Sequence, residues 1–396
     1  METYLLDWAN LLLRWVHVIT VIAWVGSSFY FVFLDSSLTA PTDPDLKEKG
    51  VGGELWAVHG GGFYNPQKYA VSPKTLPEHL HWFYWESYST WLTGFGLFTV
   101  LYLFNASSFL IDPQVHAWQP AWAVAAALGF LAVFWLIYDA LCRLLGRRPG
   151  GDALVGALVL LAVVAAAWLA SQLFAGRAAF LLVGAMMATA MSANVFFWII
   201  PGQRKVVAAL RAGQPVDPAY GQRAKQRSVH NTYFTLPVLI AMLSNHYGWL
   251  YQAPHNWLVL VGLMLAGALI RHSFVARHKA LLHGQPVPWG WAGAGLGILL
   301  GLVVWLAPAP TPVAAAAPVP TLAQVQAVVA QRCVLCHNAQ VNNKGVMLHT
   351  PELLRQHGQA LMQQAVIAKL MPLNNATQIT EEERALLGRW VSAGMP

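Results

Sequence analysis

Charge is what this sequence has least of. Of its 396 residues only 10% are Asp, Glu, Lys or Arg, against about 25% in an ordinary soluble domain. A chain so poor in charge cannot face water on all sides, which excludes a soluble globular protein. Cysteine is scarce too. There are three, so no disulfide framework holds the fold. Cys142 ends an apolar run and reads as a buried, inert thiol; the other two lie together near the C-terminus. A basic leader with a small-residue cleavage site is also lacking. The opening "METYLLDWANLLLRW" therefore reads as a retained helix and not as a signal peptide.

What fills the space is apolar. Hydrophobic residues make up 57% of the chain, in runs such as "AWAVAAALGFLAVFWLIYDAL" and "WLVLVGLMLAGALI". A run of about 20 apolar residues crosses a bilayer as a helix, because every backbone polar group must be satisfied within the segment. The pattern predicts an all-α, polytopic membrane bundle of about eight spans. They fall near 8–34, 82–104, 121–144, 153–174, 178–200, 232–250, 256–274 and 289–306. A membrane domain thus covers 1–306, followed by a Pro/Ala linker at 307–321, "APAPTPVAAAAPVPT", of extended and semi-rigid character. Residues 322–396 are polar with helical punctuation and form a second, small domain.

The net charge of +7 is then a matter of loops, not of nucleic acid. Arg204, Lys205, Arg211, Arg223, Lys225 and Arg227 crowd 201–231, Arg143, Arg147 and Arg148 the turn at 143–148, and Arg271, Arg277 and Lys279 the turn at 271–279. The segments 105–120 and 251–255 hold no Lys or Arg. Basic loops stay in the cytoplasm, so both termini are expected outside, with Arg177 the one basic residue on that side that the alternation must tolerate.

The C-terminal domain carries "CVLCH" at 333–337. Two thiols one turn apart add across the two vinyl groups of a haem, and the next residue presents its imidazole to the iron. Cys333, Cys336 and His337 are therefore the expected haem c attachment site, a chemistry completed on the outer side of bacterial membranes. Met371, in "KLMPLNNATQIT", is the expected second ligand, with Pro372 keeping its loop out of a helix and Met347 as rival. Thr380 and Glu383 form a capping box at the head of a terminal helix. A zinc or redox pair is the lesser alternative for the two thiols.

The membrane domain has polar residues where none are needed for packing. His17 sits inside the first apolar helix, and an intramembrane ionisable residue marks function by default. The first loop, "GVGGELWAVHGGGFYNPQKY", runs into "LPEHLHWFYWESYSTWLTGF". It mixes glycines that permit positive φ or close approach with His59, Lys68, Glu78, His79, His81 and Glu86. An interfacial aromatic belt explains the rings but not these charges. Two further stretches on the same side hold Asn194, Gln203, Arg204, His230 and Asn231. Arg and Gln together suit a planar, anionic, amide-bearing ligand.

Together "LRWVHVITVIAWVGSSFYF", "GELWAVHGGGFYNPQKY", "LPEHLHWFYWESYSTWL" and "HNTYFTLPVLIAMLSNHY", followed by a cytochrome tail, resemble the bacterial membrane-bound urate oxidases (urate hydroxylases). The resemblance runs along essentially the whole chain. It implies oxidation of urate to 5-hydroxyisourate in purine breakdown, with electrons passed to the fused c-type haem and on to a respiratory acceptor. It also implies an inner-membrane protein whose cytochrome lies in the periplasm. A general base with a pKa near neutral is needed; the expected candidates are His59, Lys68, His79 and His81, with Glu86 to orient a histidine. Gln203 and Arg204 are the expected clamp, with His230 and Asn231 beside them. If urate binds inside and haem c lies outside, roughly 30 Å of hydrocarbon separates them. A b-type haem is then expected between, on histidines such as His17 and His246 towards the outside and His81 and His230 within. A quinol-to-cytochrome electron-transfer subunit without catalysis, or a copper or haem transporter, are the competing classes. Neither explains the charged, glycine-rich loop.

Overall fold

The computed structural model describes residues 2–69, 72–146, 148, 150–307, 318–341 and 345–396; most of the expected linker lies outside them. The chain is mostly helical. It begins with α1 (Glu2–Ser37), a short α2 (Pro44–Glu48) and four short strands, β1 (Val51–Glu54), β2 (Ala57–His59), β3 (Gly62–Tyr64) and β4 (Gln67–Tyr69). Then follow α3 (Trp85–Phe98), α4 (Ala106–Phe109), α5 (Pro120–Leu144), α6 (Gly151–Leu173), α7 (Gly176–Ala193), α8 (Ile200–Arg211), α9 (Pro218–Leu243), α10 (Gly248–Tyr251), α11 (Asn256–Leu282) and α12 (Trp289–Trp305).

Among the described residues, five segments are long and apolar enough to cross a membrane: Tyr4–Ser37, Pro120–Leu144, Gly151–Leu173, Gly176–Arg211 and Asn256–Leu282. The other three expected spans are helical but differ for physical reasons. The first half of α3 is polar, carrying Glu86, Ser87, Ser89 and Thr90, before a π-helical turn over Thr99–Leu103. The first half of α9 is polar, carrying Arg223, Lys225, Gln226 and Arg227. α12 has 17 residues, about 25 Å of helix. α7 is the hub, packed by α5, α6 and α9, with Phe180, Leu182, Met186 and Met187 almost fully buried. α1 pairs with α3, and α12 lies on α11. Their outward faces stay apolar, with Ile22 66% and Val304 76% exposed, as a lipid-facing surface requires.

The strands are an addition to the all-helical expectation. β1 pairs with β4 and β2 with β3, both antiparallel. Gly60 and Gly61 both have positive φ, 59° and 80°. They form the two-residue turn whose twist suits a hairpin.

After residue 318 the chain forms α13 (Leu322–Arg332), α14 (Pro351–Gln356), α15 (Gly358–Leu361) and α16 (Glu381–Ser392). This unit has its own apolar core around Val325, Leu354, Leu387 and Trp390. Two capping boxes start its main helices, Thr321 with Gln324 and Thr380 with Glu383. It rests on the bundle through the 369–374 loop. Asn374 donates to the Ser108 carbonyl at 2.6 Å, Gln252 donates to the Lys369 carbonyl at 2.6 Å, and Leu370 packs on the bundle core. Ser108 lies in one of the connections without Lys or Arg and Gln252 in the other. At the opposite end Arg211 reaches the carbonyls of Pro77 and Glu78. The basic connections and the C-terminal unit therefore occupy opposite ends of the bundle.

Candidate functional sites

A buried polar network builds the basic end. The helix from α7 to α8 passes through a π turn, Asn194–Ile199, a feature frequent at functional sites. The wider turn lets Asn194 and Trp198 face the same neighbours. Arg227 of α9, 2% exposed, bonds Asp139 of α5 at 2.7 Å and Asn194 Oδ1 at 3.0 Å. Trp198 Nε1 donates to the same Asp139 at 2.7 Å, and Arg143 lies 3.6 Å from its other oxygen. Asn194 Nδ2 donates to the Tyr138 hydroxyl and to Asn231 Oδ1, both at 2.9 Å, and Asn231 donates to the Met191 carbonyl. A buried charge needs partners of this kind.

The network positions His230. Its Nδ1 lies 2.9 Å from the Tyr138 hydroxyl. That hydroxyl accepts from Asn194; with its own proton directed to Nδ1, the ring presents Nε2–H. Beside it opens a cavity of about 650 Å³ walled by α5, α6, the π turn and α9. Arg143, Arg223, Lys225 and Arg227 line it. Among the described residues Arg223 Nε is buried without a hydrogen-bond partner. Gln226, which also lines it, is held by Asp152 at 2.5 Å.

The sequence-predicted residues fall into separate groups. His230 reaches this cavity and Asn231 supports it from the network. Gln203 and Arg204 are exposed on α8, with the Arg204 guanidinium 5.9 Å from the Tyr84 ring. His59 lies at the exposed end of β2, and His79 and His81 are exposed. His81 packs edge-on against Phe83. Lys68 pairs with Asp35 at 2.8 Å, both more than half exposed. Glu86 sits half-buried in the first turn of α3. The structure thus brings His230, and not the glycine-rich loop, to the basic cavity. Tyr138, Asp139, Arg223 and Gln226 were not singled out from sequence as site residues. Asp139, a carboxylate inside an apolar run, was the signal available.

A second cavity, about 300 Å³, lies at the other end between α1, α3 and α7. His17, His246, Arg14 and Arg177 all line it. His81 and His230 lie outside it.

In the C-terminal unit a turn spans the two thiols, with Cys336 N–H and His337 N–H both donating to the Cys333 carbonyl at 3.1 Å. His337 Nδ1 lies 3.0 Å from the Val346 carbonyl. A backbone acceptor on Nδ1 makes it the protonated nitrogen and frees Nε2 for a metal, the usual support of a ligating histidine. Burial pushes the Cys333 thiol up to about 11, while Cys336 is exposed. Among the described residues no three His, Cys, Asp or Glu side chains converge as a metal site, which disfavours zinc. The donor set fits a covalently held haem with a histidine ligand. The Met371 carbonyl is held by Arg384 at 2.8 Å, so the loop that would offer its sulfur is fixed from behind.

Neither a curated protein nor a solved structure matches the chain. The family described as urate oxidase N-terminal matches residues 3–307, the whole helical bundle with both cavities. The chain belongs to that urate oxidase family.

Proposed function

We propose that the bundle crosses a bacterial inner membrane eight times and oxidises urate to 5-hydroxyisourate at the basic cavity, with the C-terminal unit acting as a periplasmic cytochrome c. The observation that carries this reading is the cavity itself. Urate is a planar monoanion at neutral pH, rich in carbonyl oxygens and N–H groups. Four cations around a 650 Å³ space, one with an unpartnered donor, supply what such an anion needs.

The reaction takes urate and water to 5-hydroxyisourate, two protons and two electrons. Arg223 and Lys225 draw in and orient the anion. His230 Nε2–H donates to a urate oxygen or nitrogen, and Tyr138 fixes the tautomer that makes this donation available. Arg227 keeps its charge next to the site while Asp139 and Asn194 hold it still, so no reorganisation is needed as charge shifts. The electrons must leave, because nothing in the products keeps them. Cys333, Cys336, His337 and Met371 would hold haem c, which when bound would supply one-electron transfer towards a respiratory acceptor. The tail rests on the end of the bundle remote from the basic cavity, as that export requires.

A quinol-linked electron-transfer subunit would also need helices, histidines and a tail. It gives no reason for the anion-binding cavity. Sealed vesicles distinguish the two. Inverted vesicles should reduce haem c at once with urate, and right-side-out vesicles lacking a urate transporter should do so only slowly. Immediate reduction in the right-side-out preparation would move the site outside, and no reduction in either would favour the anchor.

A further inference from the structure

We infer that the outer cavity between α1, α3 and α7 is the site of a non-covalent b-type haem with His17 as axial ligand and Arg14 and Arg177 as partners of its propionates. Binding of this haem stands on the geometry alone; only its use as a relay depends on the urate reading above.

His17 lies midway along α1, at the start of the helix's apolar stretch Val18–Val25. Its Nδ1 is 3.1 Å from the Thr93 hydroxyl. Thr93 already gives its own proton to the Ser89 carbonyl at 2.7 Å, so it accepts from the ring. Nδ1 therefore carries the proton, and Nε2 presents a lone pair, the form in which imidazole binds iron. At His230 and His272 the ring Nδ1 faces a tyrosine hydroxyl instead, Tyr138 at 2.9 Å and Tyr233 at 2.7 Å.

The ring is seated by Gly94. A Cβ built there would stand 2.8 Å from His17 Cε1, so no other residue lets the imidazole lie on the backbone of α3. The walls suit a flat apolar body: Trp91 stacks on Phe95 with centroids 5.1 Å apart and planes 10° apart, and both line the cavity. Its volume of about 300 Å³ falls at the lower end of ligand sites, about 300–1,000 Å³. Two cations border it within an otherwise apolar membrane region. Arg14 stands one turn before His17, and Arg177 Nε is anchored on Asn245 at 3.0 Å, the residue that also holds the Tyr102 hydroxyl. A doubly anionic edge over a large apolar face is the chemistry of a b haem. The C-terminal unit docks on this same end through Gly248 and Ser108, so a centre at His17 would divide the roughly 30 Å crossing and lie towards the tail.

The test uses the full-length protein purified in detergent. Acidified acetone extracts b haem and leaves the covalent c haem, and a pyridine haemochrome spectrum counts each fraction. We expect one b haem per c haem. His17→Ala and, separately, Gly94→Val should lose the b haem while keeping the c haem, whose retention shows that the chain is made and exported. Thr93→Val should keep the b haem but raise its midpoint potential, because an imidazole without its acceptor is a weaker donor; a merely structural threonine would not move it. A fully loaded protein containing c haem alone, undiminished b haem in His17→Ala, or a quinone recovered in place of b haem would each overturn the assignment.

Discussion

Arg384, on the terminal helix, donates from Nη1 to the carbonyl of Met371 at 2.8 Å, and the same nitrogen also bonds the Ala365 carbonyl. Its side chain is 4% exposed, so it works as a buried clamp on the loop that carries the proposed sulfur ligand. Arg384→Leu leaves two carbonyls without their donor, at a cost of about 1–3 kcal/mol each if they stay dry. Haem c should remain attached through its thioethers. The loop should loosen, and the potential should fall towards that of Met371→Ala, because loss of methionine ligation removes what favours reduced iron. Redox titration of both variants checks this. An unchanged potential in Met371→Ala would identify another ligand, with Met347 next in line.

The stability of the C-terminal unit should depend on pH through Glu383. The hydrogen-bonded Arg332 holds its carboxyl below the usual carboxylate range; Arg332 Nη2 approaches at 2.9 Å and Nε at 3.1 Å. The folded pKa lies below the unfolded value of about 4.3. The contribution is therefore complete above that value and is lost as pH falls through the folded pKa. Acid titration followed by the haem absorbance should show this loss in the parent protein. Glu383→Gln should flatten it and lower stability at neutral pH. Thr380→Ala, which removes the helix cap, should cost about 1 kcal/mol at every pH.

Docking of the tail should be separable from its redox chemistry. A Cβ on Gly248 would meet the Ala368 carbonyl at 2.5 Å, backbone against backbone with no side chain to move aside. Gly248→Leu should push the 369–374 loop off the bundle and break the Gln252 and Asn374 bonds. Rapid mixing with urate should then show haem c reduced more slowly, by tenfold or more, with its potential unchanged. A shifted potential with an unchanged rate would mean that the loop, not the contact, had been disturbed.

The helices were legible because their signals are local. Apolar runs and the Thr380–Glu383 box each lie within one element. The inner cavity was not. Asp139 and Arg227 are 88 residues apart, on helices whose rotation no single run reveals, and the π turn that aims Asn194 and Trp198 is invisible to a 3.6-residue period. In the glycine-rich loop the residue types were legible but not their pairing: Gly60–Gly61 form a hairpin turn, and Lys68 pairs with Asp35. His17 was legible because a lone histidine among apolar residues stands out, whereas Thr93 and Gly94, which touch its ring, looked like ordinary helix residues.

On the proposed function the inner network separates binding from chemistry, and that gives the most discriminating set of variants. Arg227→Leu leaves Asp139 buried without its main partner, a loss of about 3–5 kcal/mol, and should appear first as a lower melting temperature in detergent. Arg223→Ala removes a donor that only the ligand uses. It should raise KM for urate severalfold with kcat nearly intact, because a clamp that holds ground and transition states alike affects affinity first. Tyr138→Phe keeps the ring and the packing but removes the proton offered to His230 Nδ1. The imidazole is then free to flip its tautomer and present a lone pair where Nε2–H stood. We expect kcat to fall by about tenfold or more, worth at least about 1.4 kcal/mol, with little change in KM. Steady-state reduction of haem c by urate measures all three. If Tyr138→Phe changed KM alone, His230 would be part of the binding surface and the chemistry would have to be sought elsewhere, first at His81 and His59.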